Sequence, residues 1–286
     1  MKRCKPPKST ILFEGAAAAN EPKIHLMSSV LPLHFFDVGR DIKAAYVGPS
    51  LAAGPLPALF YFSLSAEDSL RLDPFNQPVA YLSRLPMRIF SMTMPGHEDN
   101  LPPTQALDVW ASEIANGRNV VAEFIEKVKI AVDALSKQGA LIPDRLAVAG
   151  LSRGAFIAAH AAAEIPEFRW ILGFAPLTQP VFAKEFQELA HLPLVHSLSL
   201  EYLTEKLIDR PLRYYIGNLD TRVGTRLCFD FVEKLAQTAY ENKIRSPQVE
   251  LIIGPSIGRD GHGTSKEVFH EGAQWIAEKL GAVDVV

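Results

Sequence analysis

The sequence predicts a three-layer α/β/α protein: a mostly parallel sheet of about eight strands, helices on both faces and a small helical lid. Three observations carry this. Short apolar runs alternate with stretches of helical periodicity from about residue 33 to residue 280, the pattern of a parallel sheet with helical crossovers. Some runs, such as Ala58 to Leu64, are apolar almost without a break, as strands buried on both faces must be. At 148–154 an apolar strand runs into an Ala-rich helix through the string Gly150-Leu151-Ser152-Arg153-Gly154.

A chain of 286 residues buries a sizeable core without disulfides or metals. One domain over 31–286 is expected, after an irregular lead-in over 1–30. A net charge of −3 with acids and bases interspersed leaves no electrostatic footprint for nucleic acid. Cys4 and Cys228 lie far apart without metal-ligand spacing, which suits a reducing, cytoplasmic setting. Cys4 belongs to a basic, Pro-containing tail and Cys228 to an apolar helical face, so neither is a candidate nucleophile. No stretch approaches the ~18–20 apolar residues of a membrane span. The basic start and Ala16 to Ala19 look like parts of a signal peptide, but Glu14 and Gly15 interrupt its apolar centre, so export is not the expectation.

Taken in order, Leu33 to Val38 and Ile42 to Val47, joined through Gly39, predict a hairpin. After a Gly/Pro/Ala loop from Pro49 to Pro57, Ala58 to Leu64 is the third strand. Ser65 to Ser69 is expected as a polar turn, and Pro74 to Leu85 as a short helix stopping before Pro86. Arg88 to Met94 is the fourth strand and runs into Pro95-Gly96-His97. Leu107 to Ala115 is amphipathic. Asn119 to Lys137 is a long helix, with Val121, Phe124, Ile125, Val128, Val132 and Leu135 at helical spacing and Gly139 past its end.

Asp144 to Ala149, bounded by Pro143, is the fifth strand, and Ala155 to Glu164 is a strong helix former stopped before Pro166. Arg169 to Ala175 is the sixth strand. The segment from Pro176 to Asp209 holds loosely amphipathic patches and two internal prolines, Pro180 and Pro193, and fits a lid better than a sheet element. Its Phe182, Phe186, Leu189, Leu192, Leu194 and Leu198 are either an apolar pocket wall or ordinary core. Leu212 to Gly217 is the seventh strand, Thr225 to Tyr240 a helix, Val249 to Ile253 the eighth strand, and Glu267 to Leu280 the closing helix.

The candidate chemistry starts at Ser152. A serine on a sharp strand-to-helix turn needs small residues two positions away on each side, and Gly150 and Gly154 supply them. A serine hydroxyl is a weak nucleophile near neutral pH, so it needs a base and an orienting acid. Both should lie just past later strands, because reactive groups in such sheets collect at the strands' carboxyl ends. Past the seventh strand stands Asp220, and past the eighth stands His262 between Gly261 and Gly263. His262 would take the serine proton, and Asp220 would hold the imidazole's tautomer. His97 competes as the base, or else is structural or lines the pocket. Asp260 and Asp209 compete as the acid, although Asp260 is too near His262 to come from a separate strand end and Asp209 precedes its strand. His160, His191 and His196 read as packing or rim residues.

The order Ser, Asp, His and the stretch Gly217-Asn218-Leu219-Asp220-Thr221-Arg222-Val223 resemble the α/β-hydrolase superfamily, nearest its dienelactone hydrolase and prolyl oligopeptidase-like branches. The resemblance covers about residues 33 to 280. It implies Ser152 as nucleophile, Asp220 as acid and His262 as base, and an oxyanion hole made by the Arg153 backbone N–H with one from the loop after the third strand. That loop reads Phe62-Ser63-Leu64-Ser65, where the superfamily often has His-Gly, so Leu64, or in second place Ser65, is the expected donor. Ser65 and His97 are also expected to touch substrate. The activity implied is hydrolysis of an ester, thioester or amide of a small-molecule acyl substrate, with no metal or cofactor. An acyltransferase using the same three residues, or a non-catalytic binding protein on the same fold, are the alternatives.

Overall fold

The computed structural model describes residues 32–39, 42–98 and 101–283. The lead-in expected over 1–30, its alanine run and Cys4 lie outside the described residues. Eight strands form one open sheet: β1 (His34–Gly39), β2 (Ile42–Val47), β3 (Leu56–Phe62), β4 (Arg88–Ser91), β5 (Leu141–Leu151), β6 (Phe168–Phe174), β7 (Leu212–Gly217) and β8 (Val249–Gly254). Their spatial order is β1-β2-β4-β3-β5-β6-β7-β8. The first hairpin is antiparallel, β2 joins β4 antiparallel, and every pair from β4 to β8 is parallel.

The central strands bury both faces, so their side chains sort by alternation. Ala58, Phe60 and Phe62 of β3 and Leu146 and Val148 of β5 enter one apolar cluster. Leu59 and Tyr61, with Ala147 and Ala149, enter the other. The first cluster is closed by α3 (Ala106–Ala115), α4 (Val120–Lys137), α5 (Arg153–Glu164) and α8 (Thr225–Glu241). The second is closed by α1 (Ala66–Arg71), α2 (Gln77–Leu82) and α9 (Lys266–Leu280). Cys228 is fully buried in α8, where burial pushes its thiol pKa up and keeps it inert.

Three boundaries differ from expectation. The polar stretch Ser65 to Ser69 is the start of α1: Ser65 Oγ accepts the Asp68 N–H at 3.1 Å and caps the helix. β3 ends at Phe62 and β4 at Ser91, which leaves Ser63, Leu64 and Met92 to Met94 as loop above the sheet. β5 starts before Pro143. Its pairing with β3 jumps from Leu56↔Leu141 to Ala58↔Leu146, and the residues between form a bulge with Asp144 at φ 59°. A proline is tolerated there because a bulged residue owes no ladder hydrogen bond.

Arg88, fully buried at the amino end of β4, braces the sheet. Its Nε donates to Pro49 O at 2.9 Å, Nη1 to Ala140 O at 2.6 Å, and Nη2 to Ser50 O and Gly54 O at 2.6 and 2.9 Å. Between β6 and β7 the chain makes a series of 3₁₀ turns and the short helices α6 (Pro193–Ser197) and α7 (Thr204–Leu207). Of the six apolar residues singled out in the sequence, Phe186 and Leu198 are core, Leu189, Leu192 and Leu194 pack against it, and Phe182 lines the cavity described below together with Leu177 and Val181. Among the described residues no helix is long and apolar enough to cross a membrane.

Candidate active site

Ser152 sits between β5 and α5 with φ 57° and ψ −118°. Such a backbone is strained for a residue with a side chain and persists only where the surroundings enforce it. They do so here. The Ser152 N–H donates to Phe174 O at 2.8 Å, and its carbonyl accepts from Ala155 N at 3.0 Å and Leu177 N at 3.3 Å. A Cβ on Gly150 would collide with the backbone of Gly154, and a Cβ on Gly154 with Phe62 O. Both glycines are thus demanded by close approach of main chain to main chain.

Asp220 and His262 meet at the serine. His262 Nε2 lies 2.8 Å from Ser152 Oγ, and His262 Nδ1 lies 2.7 Å from Asp220 Oδ2. Asp220 is 3 % exposed, and its Oδ1 accepts the N–H groups of Arg222 and Val223, each at 3.0 Å. A carboxylate so held keeps one oxygen for the imidazole and fixes Nδ1 as the protonated nitrogen. The loops carrying acid and base are laced together. Leu219 N donates to Ser256 Oγ at 2.6 Å, Ser256 N to Asn218 Oδ1 at 3.1 Å and Thr221 N to Asp260 O at 2.9 Å. Asp260 therefore serves by its carbonyl, and its carboxylate lies 3.7 Å from Arg259. Asp209 pairs with Arg210.

Among the described residues, the other candidate histidines lie elsewhere. His160, buried in α5, packs against Phe156 with the rings tilted and bonds Leu198 O at 2.9 Å. Burial lowers its pKa from 6.5 to about 4. His191 and His196 bond the carbonyls of Glu188 and Ala190. His97, expected at the pocket, does not line it. Its Nε2 accepts from Arg153 Nε at 3.1 Å and Nη2 at 2.6 Å. A guanidinium has only donors, so Nε2 is the bare nitrogen of a neutral ring. Burial, and then the Arg153 charge, lower the His97 pKa to about 4.

Two further expectations change. Ser65 is taken up in capping α1 and stays out of the cavity lining. The Leu64 N–H is not free: it donates to Ser69 Oγ at 2.9 Å, and the Ser63 N–H reaches the same oxygen at 3.2 Å. The Arg153 N–H is the first of α5, where no earlier helical carbonyl exists to take it.

Over Ser152 lies an open cavity of about 970 Å³. Ser63, Leu64, Leu177, Phe182 and Val223 line it, together with the charged side chains of Arg153, Lys184, Glu185, Arg222 and Arg259. Glu185 holds Arg222 with both oxygens, at 2.9 and 3.2 Å. Burial pushes the Glu185 carboxyl up, but the Arg222 bonds and charge outweigh it and leave it below its ordinary value. Nothing in the local pattern hints at this pair beyond the place of Arg222 two residues after Asp220.

No family model matches the sequence, and no curated protein does. Solved structures do match. The TT1662 protein of Thermus thermophilus aligns with a TM-score of 0.64 at 17% identity, over 88% of this chain and 100% of that one. Prolyl oligopeptidase B from Galerina marginata aligns at 0.63 and 17%, over 88% of this chain and 37% of that one, so this chain spans about a third of its length. A cold-adapted esterase from an Arctic intertidal metagenomic library aligns at 0.60 and 16%, over 86% and 92%. With its eight-stranded open sheet, its covering helices and these neighbours, the chain has the fold of the α/β-hydrolase superfamily.

Proposed function

We propose that the protein is a serine hydrolase cleaving an ester, thioester or amide through an acyl-enzyme on Ser152. The observation that carries the reading is the continuous chain Ser152 Oγ, His262, Asp220, at 2.8 and 2.7 Å. Ser152 Oγ attacks the acyl carbon as His262 Nε2 takes its proton, and Asp220 stabilises the resulting imidazolium. The same proton passes to the leaving group as the acyl bond breaks. Water, deprotonated in turn by His262, then releases the acid and restores the serine. The Arg153 N–H is the principal oxyanion donor, and the Leu64 N–H joins it by leaving Ser69 Oγ. The esterase and the oligopeptidase among the structural neighbours are in keeping with this chemistry.

A fluorophosphonate probe tests it: the folded protein is expected to be labelled, and Ser152→Ala to be blank. Absence of labelling in folded protein overturns the proposal, and labelling that survives in Ser152→Ala overturns the assignment of the nucleophile.

A further inference from the structure

The cavity over Ser152 carries more positive charge than its own carboxylates neutralise. Of its four cationic side chains, Arg222 is taken by Glu185 and Arg259 stands beside Asp260. Among the described residues, neither Arg153 nor Lys184 is in an ion pair. Lys184 is exposed at the rim, where an unpaired ammonium is ordinary. Arg153 is different because it is half-buried and lines the cavity beside Ser152. Its Nε and Nη2 are spent on neutral acceptors, the His97 ring and Pro103 O at 3.0 Å, and no protein acceptor is recorded for Nη1. Burial, and then the charge of Arg222, lower its pKa to about 10, with Glu185 acting the other way. The guanidinium is still charged near neutral pH. On the cavity wall Arg153, Arg222 and Glu185 together leave one net positive charge, and the Asp220 carboxylate, which is turned to His262, stays out of that lining. A cation without a counter-ion in such a place is costly unless a ligand supplies one.

We propose that Arg153, backed by Arg222, binds an anionic group, a carboxylate or a phosphate, on the substrate attacked by Ser152. The inference rests on the serine-hydrolase reading and adds the substrate class. A planar guanidinium with free N–H groups suits either anion, since both offer paired oxygens. His97, neutral and held by two bonds, sets the plane of the Arg153 fork and acts as a positioning residue.

The test compares 4-nitrophenyl hemiglutarate with 4-nitrophenyl hexanoate, esters of similar length with and without a terminal charge, on the full chain. Wild-type kcat/KM is expected to favour the hemiglutarate by about tenfold or more, the scale of one charge-assisted hydrogen bond. Arg153→Gln should bring the ratio to about one, and Arg153→Lys should restore part of it. Should Arg153→Gln fail to fold, protection of wild-type Ser152 from the fluorophosphonate gives a second reading. Glutarate that slows labelling more than hexanol supports a carboxylate, and butylphosphonate that slows it more than glutarate supports a phosphate. A wild-type ratio at or below one, with Ser152 labelled and no protection by either anion, overturns the anion site and leaves the hydrolase standing. No labelling at all overturns both.

Discussion

Arg88 is buried and Arg153 half-buried, and they sit at opposite ends of the sheet. Arg88, at the amino end, spends its guanidinium on four backbone carbonyls, which are those of Pro49, Ser50, Gly54 and Ala140. Arg153, at the carboxyl end, spends part of its own on His97 and Pro103 and turns the rest to a cavity. Both are at least half-buried, but the degree of burial alone does not tell a brace from a binding group. The donor inventory does. Arg88 ties the connection between β2 and β3 to the turn before β5 and has little left to offer, whereas Arg153 keeps donors in reserve.

The widest separation between the two ends is expected from His262→Ala. It should lower turnover by about 10³-fold or more with only a small shift in thermal midpoint, and a large drop in stability with turnover intact would erase the distinction. Next comes Arg88→Met, which strands the Pro49 and Gly54 carbonyls and takes one bond each from those of Ser50 and Ala140, and should cost about 2–5 kcal/mol in urea unfolding. The labelling rate of Ser152 per folded molecule should stay as in wild type. An unchanged unfolding midpoint would show that the brace is ornamental.

Acid should act on one end only, since carbonyls around Arg88 do not titrate. His97 and His160 have folded pKa values near 4 against an ordinary 6.5. Between those values the unfolded chain binds more protons than the folded one, so stability is lost as pH falls from about 6.5 towards 4. A thermal midpoint that falls across this window, and less steeply in His160→Gln, is the expected result, and a flat profile would contradict the buried neutral rings. The smallest effect is reserved for Glu185→Gln, which removes the counter-charge of Arg222. The preference for an anionic ester should rise by roughly another threefold as Arg222 loses its counter-charge, and a fall would mean that Glu185 orders the site more than it neutralises it.

The sheet was legible because apolar runs and helical periods leave different marks, and the acid and base because strand ends in such sheets gather chemistry. Other features were hidden for stated reasons. Ser65 and Asp68, three apart, are a capping signature, but the polar letters around them read as a turn. Pro143 reads as a boundary because a bulge leaves no periodic trace. Arg153 meets His97 and Pro103, which are 56 and 50 residues away in sequence, and Leu64 meets Ser69 through a hydroxyl whose direction only the fold sets. Local pattern locates elements; it does not report which side chains face one another above them.

One arrangement has a thermal consequence. The nucleophile hangs from β5, deep in the sheet with strands on either side, while the base hangs from β8, the last strand, whose residues are only partly buried. Edge strands open first when a fold breathes. Warming should therefore swing the imidazole away while the serine is still in place, so that activity fades several degrees before the sheet melts. Amide exchange across 249–254 should outrun that across 146–151. The protein would then recover its activity on cooling from temperatures that silence it, because what came apart is one strand and a loop, not the fold.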